Sequence, residues 1–262
     1  MGTVFGRWYV MVFGAVFLWQ ASRQIGWRRT GIYLAASLVV GIAAENGSVH
    51  TGFPYTRYAF NSGLRDNELF IGSVPLMVPL SYSFMSYFAF GAGRLIASGP
   101  FRTRALRPWH ELLVAWMLAV WAIFVLDPAS RLGDRFYLGE LFRYRGPGFW
   151  FGLPLGSQVG FAGTAGILLL VLHRLDRDAP DVEVPAGLRS HPGLIPLVTY
   201  HAQVFHLVAV AFYLGEAELG GAGIVIWVPP AVVTAVYWST LRVQRDTQAR
   251  PLGARSRARV KS

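Results

Sequence analysis

The chain has 262 residues, 53% of them hydrophobic and only 15% charged, with a mean hydropathy of +0.40 and a net charge of +10. Soluble domains carry about 25% charged residues, and here the charges fall in short blocks between apolar runs long enough to cross a bilayer, which excludes a soluble globular domain. The absence of cysteine excludes disulfides and thiolate metal sites, and the basic excess marks membrane-flanking loops, not nucleic-acid binding, because no basic patch interleaves with stacking aromatics outside the apolar runs.

Seven spans are predicted in chain order: Val4–Ala21, Thr30–Ala44, Leu69–Phe90, Leu112–Leu126, Val159–Leu172, Leu194–Leu214 and Ala222–Leu241. The first has Arg7 as its sole early basic residue and no clean small-x-small cleavage site after its apolar core, so it reads as a retained helix and not as a signal peptide. The third contains Pro75 and Pro79 and is expected to kink; the seventh is interrupted by Pro229 and Pro230. Several runs fall short of about 20 residues, so their helices must extend into the flanking loops.

Between the fourth and fifth spans, Asp134 to Trp150 mixes Phe136, Tyr137, Leu141, Phe142 and Tyr144 with Arg135, Glu140, Arg143 and Arg145, a pattern that predicts a short interfacial helix. The fold class expected is therefore all-α: a polytopic membrane bundle of about seven transmembrane helices plus one interfacial helix. Its boundaries are a membrane domain over 1–241 and a basic tail over 242–262, expected to be disordered near anionic lipid.

Lys and Arg alternate unevenly between loops. One side gathers Arg23, Arg28 and Arg29, then Arg94, Arg102, Arg104 and Arg107, then Arg174, Arg177 and Arg189, and finally the tail; the other carries Arg7, Arg57, Arg65, Arg131, Arg135, Arg143 and Arg145. By the positive-inside rule the N-terminus lies outside and the C-terminus in the cytoplasm of a multi-pass plasma-membrane protein.

Acids at membrane depth are costly and point to function. Glu45 directly follows the run Val39 to Ala44, and Asp127 directly follows Trp121 to Leu126. The parity of crossings puts both at the same face, where they can meet over one cavity; the plainer reading is that each ends a helix at the interface. Around Glu45 the chain reads Glu-Asn-Gly-Ser-Val-His-Thr-Gly-Phe-Pro-Tyr-Thr-Arg-Tyr, and Gly47, Gly52 and Pro54 predict irregular backbone lining a cavity. Around Asp127 it reads Leu-Asp-Pro-Ala, followed later by Gly148-Phe149-Trp150-Phe151-Gly152-Leu153-Pro154-Leu155-Gly156-Ser157-Gln158.

These two blocks resemble the CruF-type carotenoid biosynthesis proteins, integral membrane carotenoid 1,2-hydratases. The family pattern is Glu, then Gly, then Thr-Gly-x-Pro-Phe-Gly-x-Tyr; later come Asp-Pro and a Trp-rich stretch ending Tyr-Gly-x-Pro-x-x-Asn-Phe-x-Gly-Trp. The matching positions are Glu45, Gly47, Thr51, Gly52, Tyr58, Asp127, Pro128, Trp150, Gly152, Pro154 and Gly160, and the resemblance covers residues 30 to 170. The sequence departs at Tyr55-Thr56, where the family has Phe-Gly, at Ser157-Gln158, where it has Asn-Phe, and at Phe161, where it has Trp.

The resemblance implies hydration of a terminal isoprenoid alkene. Proton delivery to the less substituted carbon forms a tertiary cation, and water captures it. A carboxyl withdrawn from water stays protonated near neutral pH, and a second carboxylate can orient it or activate water. Aromatic faces stabilise the cation without acting as bases. Glu45 and Asp127 are thus the catalytic candidates, with His50, Tyr55, Tyr58, Phe149, Trp150, Phe151, Ser157 and Gln158 around the substrate. For the aromatics the plainer role is an interfacial belt. The expected partners are a lipophilic isoprenoid or carotenoid and membrane lipid; no metal or cofactor is required.

Other readings are weaker. The same protonation followed by capture of the cation by an internal double bond gives a terpene cyclase, which the replacement of Asn by Ser157 favours. A prenyltransferase would use Asp176, Asp178 and Asp181, but these lack an Asp-Asp-x-x-Asp arrangement. A retinal receptor needs a lysine within a span, and the sole lysine is Lys261; a transporter is weakened by the lack of an internal repeat. His201 and His206, five positions apart, do not share a helix face and read first as interhelical hydrogen-bonders.

Overall fold

The computed structural model describes residues 7–66, 68–98, 108–132, 140–146, 148–177 and 194–249. Its seven helices are α1 (Trp8–Ile25), α2 (Trp27–Thr51), α3 (Met77–Ser98), α4 (Pro108–Ala129), α5 (Leu155–Arg177), α6 (Leu194–Tyr213) and α7 (Ala217–Ala249). Five of them, α2 and α4 to α7, are long and apolar enough to cross a membrane. This is an all-α membrane bundle, and its lipid-facing surface is apolar: Val39, Val159 and Val225 are each about two-thirds exposed or more.

The helix that anchors the bundle is not one of those five. α3 packs against all six other helices. A helix surrounded by protein needs no lipid-soluble face, so it carries Ser83 and Ser86 along with Tyr82, Phe84, Tyr87, Phe88 and Phe90, all buried. Rings from α1 and α2 interleave with it: Phe13 stacks on Phe84, while Phe17 meets Tyr33 and Tyr87 edge-on. The inner stripe of α2 is likewise small and polar, made of Thr30, Tyr33, Ser37, Gly41, Glu45 and Ser48. The bundle therefore buries its polar face and turns its apolar face outward.

Several boundaries differ from the expectation. The third span does not begin at Leu69: Phe70–Ile71 (β2) and Val74–Pro75 (β3) pair as a short antiparallel hairpin, and the helix starts at Met77. Pro75 thus sits in a strand and Pro79 in the first turn, where backbone N–H groups have no helical acceptor in any case. No kink at these prolines is required. α2 runs on past Ala44 to Thr51 before Gly52 adopts a left-handed conformation and returns its N–H to the Ser48 carbonyl. The backbone from Glu45 through Thr51 is therefore helical, and the irregular chain begins only at Gly52. α7 continues past Leu241 to Ala249; the rest of the tail, 250–262, lies outside the described residues.

The expected interfacial helix is corrected. Residues 134–139 and 147 lie outside the described residues, and Phe142–Tyr144 forms a strand (β4) that pairs antiparallel with Tyr58–Phe60 (β1). The alternation Phe142, Arg143, Tyr144 has a period of two, which suits a strand with one face inward. The Arg143 side chain, 74% exposed, points away and binds Glu140, and this pairing holds the Glu140 carboxyl below its ordinary range. The β1–β4 ribbon joins the two loops that follow α2 and α4 across the end of the bundle that carries Glu45 and Asp127.

Candidate active site

Beneath that ribbon lies a cavity with about 1240 Å³ of atom-free space, its open mouth included. Glu45 and Asp127 both line it, the first from the last two turns of α2 and the second from the last turn of α4. Asp127 is near enough to Glu45 for their charges to interact. Neither forms an ion pair among the described residues. Glu45 is 4% exposed, and the Tyr82 hydroxyl from α3 donates a short hydrogen bond to its Oε1. Asp127 is turned toward the cavity with no hydrogen-bonding side chain at its carboxyl among the described residues.

The Glu45–Tyr82 pair belongs to a line of hydroxyls. The Tyr82 and Tyr55 hydroxyls lie within reach of one another. Tyr55 donates to Thr164 Oγ1 (2.9 Å), which in turn donates to the Gly160 carbonyl (3.1 Å). The Tyr55 backbone is anchored as well: its N–H donates to Ser48 Oγ at 2.9 Å. Two glycines allow these approaches. A Cβ on Gly41 would meet the Tyr82 ring at 2.7 Å and Pro79 at 2.9 Å, and a Cβ on Gly160 would overlap the Pro54 carbonyl and the Tyr55 ring. Gly41 lies one turn before Glu45, so the space it leaves sets Tyr82 beside that acid.

Tyr144 closes the other side. Burial above all, with the charge of Asp127 adding to it, raises its phenol well above the ordinary value, and burial does the same to Tyr55. Both remain protonated across the physiological range and act as hydrogen-bond donors, not bases. Tyr58, in β1, packs its ring against Phe60, Phe142 and Tyr144, and Phe161 meets Tyr82 edge-on. An apolar chamber results, walled by aromatic faces and holding two acids.

Of the residues singled out from sequence, Glu45, Asp127, Tyr55, Tyr58 and Ser157 line this chamber. Ser157 sits in the first turn of α5 and donates its hydroxyl to the Pro154 carbonyl at 2.9 Å. Gln158 is buried beside it but is not part of the lining, and neither amide atom has a hydrogen-bond partner among the described residues. His50 lies away from the cavity, on the exposed side of α2 near Ser73 Oγ. Phe149, Trp150 and Phe151 are not brought to it either. A tight turn over 149–153 places Leu153 in the core; Phe149 is 72% exposed, and Trp150 is spent on Phe124, to whose carbonyl its indole donates at 2.8 Å.

Sequence reasoning missed Tyr82, Tyr144, Phe161 and Arg7. Tyr82 lies mid-helix with no motif around it, and only the tertiary contact reveals it. Arg7 reaches the cavity wall already paired with Glu68, its Nη2 2.6 Å from Oε1. His206 lines the cavity from α6, while His201 does not: His201 accepts from the Trp227 indole and pairs with Thr234, tying α6 to α7. Asp176 is held by Arg94 and Gln24, and Asp178 and Asp181 lie outside the described residues. No group of three His, Asp or Glu side chains among the described residues is placed to hold a metal ion.

Over residues 5–230 the chain matches the family described as carotenoid biosynthesis protein. It belongs to that family. The resemblance drawn from the Glu45 and Asp127 blocks is thereby borne out, and the match extends well beyond them, from α1 into α7. No curated protein and no solved structure matches the chain. As a carotenoid biosynthesis protein built of membrane helices, it has a role in a pathway whose intermediates are lipophilic, in keeping with an apolar chamber inside a lipid-embedded bundle.

Proposed function

We propose that this carotenoid biosynthesis protein is an enzyme that protonates a terminal isoprenoid alkene and adds water to it, as a carotenoid 1,2-hydratase does. The observation that carries this reading is the convergence of Glu45 and Asp127 on one aromatic-walled chamber, neither with a counter-cation. One of the two acids, in its neutral form, gives its proton to the less substituted alkene carbon; the new C–H bond leaves a tertiary carbocation. Water adds to the cation and loses a proton to the second carboxylate, so the substrate gains one H2O and the pair of acids ends with the same number of protons.

Tyr82 and Tyr55 would hold Glu45 in place and tune which oxygen carries the proton. Tyr58, Tyr144, Phe142 and Phe161 turn ring faces and edges toward the chamber, where a cation is stabilised by about 0.5–2 kcal/mol per well-placed ring. A carboxyl with a neighbouring acid and no arginine keeps the acidity needed for an alkene without being locked as a carboxylate.

A second reading keeps the same first step and captures the cation with an internal double bond, making the enzyme a cyclase. Ser157 favours it: where the family has Asn, this chain has a hydroxyl already directed at its own turn carbonyl, which leaves one fewer amide to hold a water. Expression in a lycopene-producing host separates the two. A product heavier by one water supports the hydratase, an isomer of unchanged mass supports the cyclase, and unaltered carotenoid with the protein present in the membrane overturns both. We also infer a plasma-membrane location with the N-terminus, and hence the chamber's ribbon, on the outer face, from the loop arginines; protease protection of tags at either end tests it.

A further inference from the structure

α3 is buried on almost every side because six helices surround it. Between Ser81 and Gly93, however, one position is only half-buried: Met85. Val78, Ser81 and Met85 stand at spacings of three and four, which puts them on one face of the helix, and all three are half-buried and line the cavity. The stripe is uncovered because of how the neighbours pack. α1 packs on α2, α3 and α5, whereas α6 packs on α3, α4 and α7. The two flank α3 with no extensive packing on each other among the described residues, yet both line the cavity.

Half-buried lining residues flank the same stripe from either side, Phe13 on α1 and His206 on α6. The end of the chamber toward water is closed differently, by the β1–β4 ribbon and by the buried Arg7–Glu68 pair, which ties the start of α1 to the loop before β2. The chamber is thus roofed on its polar side and open along the helices.

We infer that the chamber opens sideways into the bilayer between α1 and α6, over Val78, Ser81 and Met85, and that a long linear isoprenoid lies in this opening with one end at the acids and its remaining length among the lipid tails. The opening is continuous with the chamber, its floor and walls are chiefly apolar (Val78, Met85, Phe13, Leu207), and a chain dissolved in the bilayer reaches it without crossing water. The inference rests on the isoprenoid reading above, and its test is chosen so that the two fail separately.

The chain contains no cysteine, so a nitroxide can be placed by Met85→Cys and, as a lipid-facing reference on the outer side of α2, by Val39→Cys. In proteoliposomes, collision with dissolved oxygen reports contact with lipid and collision with a water-soluble nickel chelate, present on both sides, reports contact with water. The Met85 label is expected to favour oxygen as the Val39 label does. Adding lycopene to the bilayer is expected to lower its oxygen collision rate about twofold or more, since a pocket buries ~70–90% of its ligand's surface, with no change at Val39. A Met85 label that favours nickel, one shielded from both agents, or one that lycopene leaves unaffected overturns the inference. If lycopene shields the Met85 label but the unlabelled protein makes no altered carotenoid, the opening stands and the hydration reading fails; if the unlabelled protein forms product and the label is not shielded, the opposite holds.

Discussion

Two clusters of acids, one half-buried and one buried, sit at opposite ends of the bundle, and they are built on opposite principles. At the end away from the chamber, Arg94 reaches Glu111 at 3.3 Å and Asp176 at 2.5 Å; Gln24 donates to Asp176 Oδ1, and the Tyr87 hydroxyl donates to Gln24. Both acids there share Arg94, and the cluster ties α1, α3, α4 and α5 together. At the other end Glu45 and Asp127 share a cavity whose lining arginine, Arg7, is already paired with Glu68, and neither acid has a cation of its own among the described residues. Removing one partner of an acid–arginine pair leaves the other charge uncompensated; a buried acid without such a partner is costly to keep and is free to exchange a proton. On the function proposed above, the contrast gives the first cluster to architecture and the second to chemistry.

The comparison breaks most readily at the acids. Glu45→Gln keeps the acceptor for Tyr82 and Asp127→Asn keeps the shape, so neither is expected to change the amount of folded protein. Each is expected to lower product formation by about 10²–10⁴-fold, the usual loss on removing a general acid or base, measured as altered carotenoid per unit of membrane protein. Activity retained in both would show that the unpaired acids are not the reacting groups. Tyr82→Phe comes next: it removes one hydrogen bond to Glu45 while leaving the ring against Phe161. A loss of ~1.5 kcal/mol, as for a hydrogen bond to a charged group, corresponds to about a tenfold slower reaction.

The opposite cluster should answer the opposite way. Asp176→Asn is expected to destabilise the protein by about 1–3 kcal/mol, since it leaves Arg94 with one weaker partner, and to leave activity per folded molecule unchanged. A thermal-unfolding series in detergent, with activity normalised to folded protein, reads both. Were Asp176→Asn to abolish activity with the melting temperature intact, the division between architecture and chemistry would be wrong.

The sequence made the two acids legible because each closes an apolar run, and an acid at such a place stands out against hydropathy. All seven helices could also be read from it, but not what surrounds them. A span read from hydropathy begins at Leu69 because Phe70, Ile71 and Val74 are as apolar as a membrane helix, and nothing local distinguishes a short hairpin from a helical turn. The strand at Phe142–Tyr144 is hidden for a related reason: three alternating residues are too few to outweigh a mixed aromatic and basic segment, and their partner strand, Tyr58–Phe60, is distant in sequence, with Ala59 and Arg143 paired across 84 positions. Tyr82 had no signal at all, because its role exists only through Gly41 on another helix.

Ser157 offers the smallest and sharpest test. It lines the chamber at the position where the family pattern has Asn, and its hydroxyl is engaged by the Pro154 carbonyl within its own turn. Ser157→Asn adds a carboxamide that reaches further into the chamber and supplies both a donor and an acceptor for a water. Total turnover should change little, since neither acid is touched. The ratio of hydrated to isomeric product should rise, by about threefold to tenfold for ~1 kcal/mol of added water binding, as read by mass spectrometry of the extracted carotenoids. An unchanged ratio would mean that the fate of the cation is set elsewhere on the wall, where the polar groups include Tyr144, within reach of Ser157 itself, and Gln203 on α6.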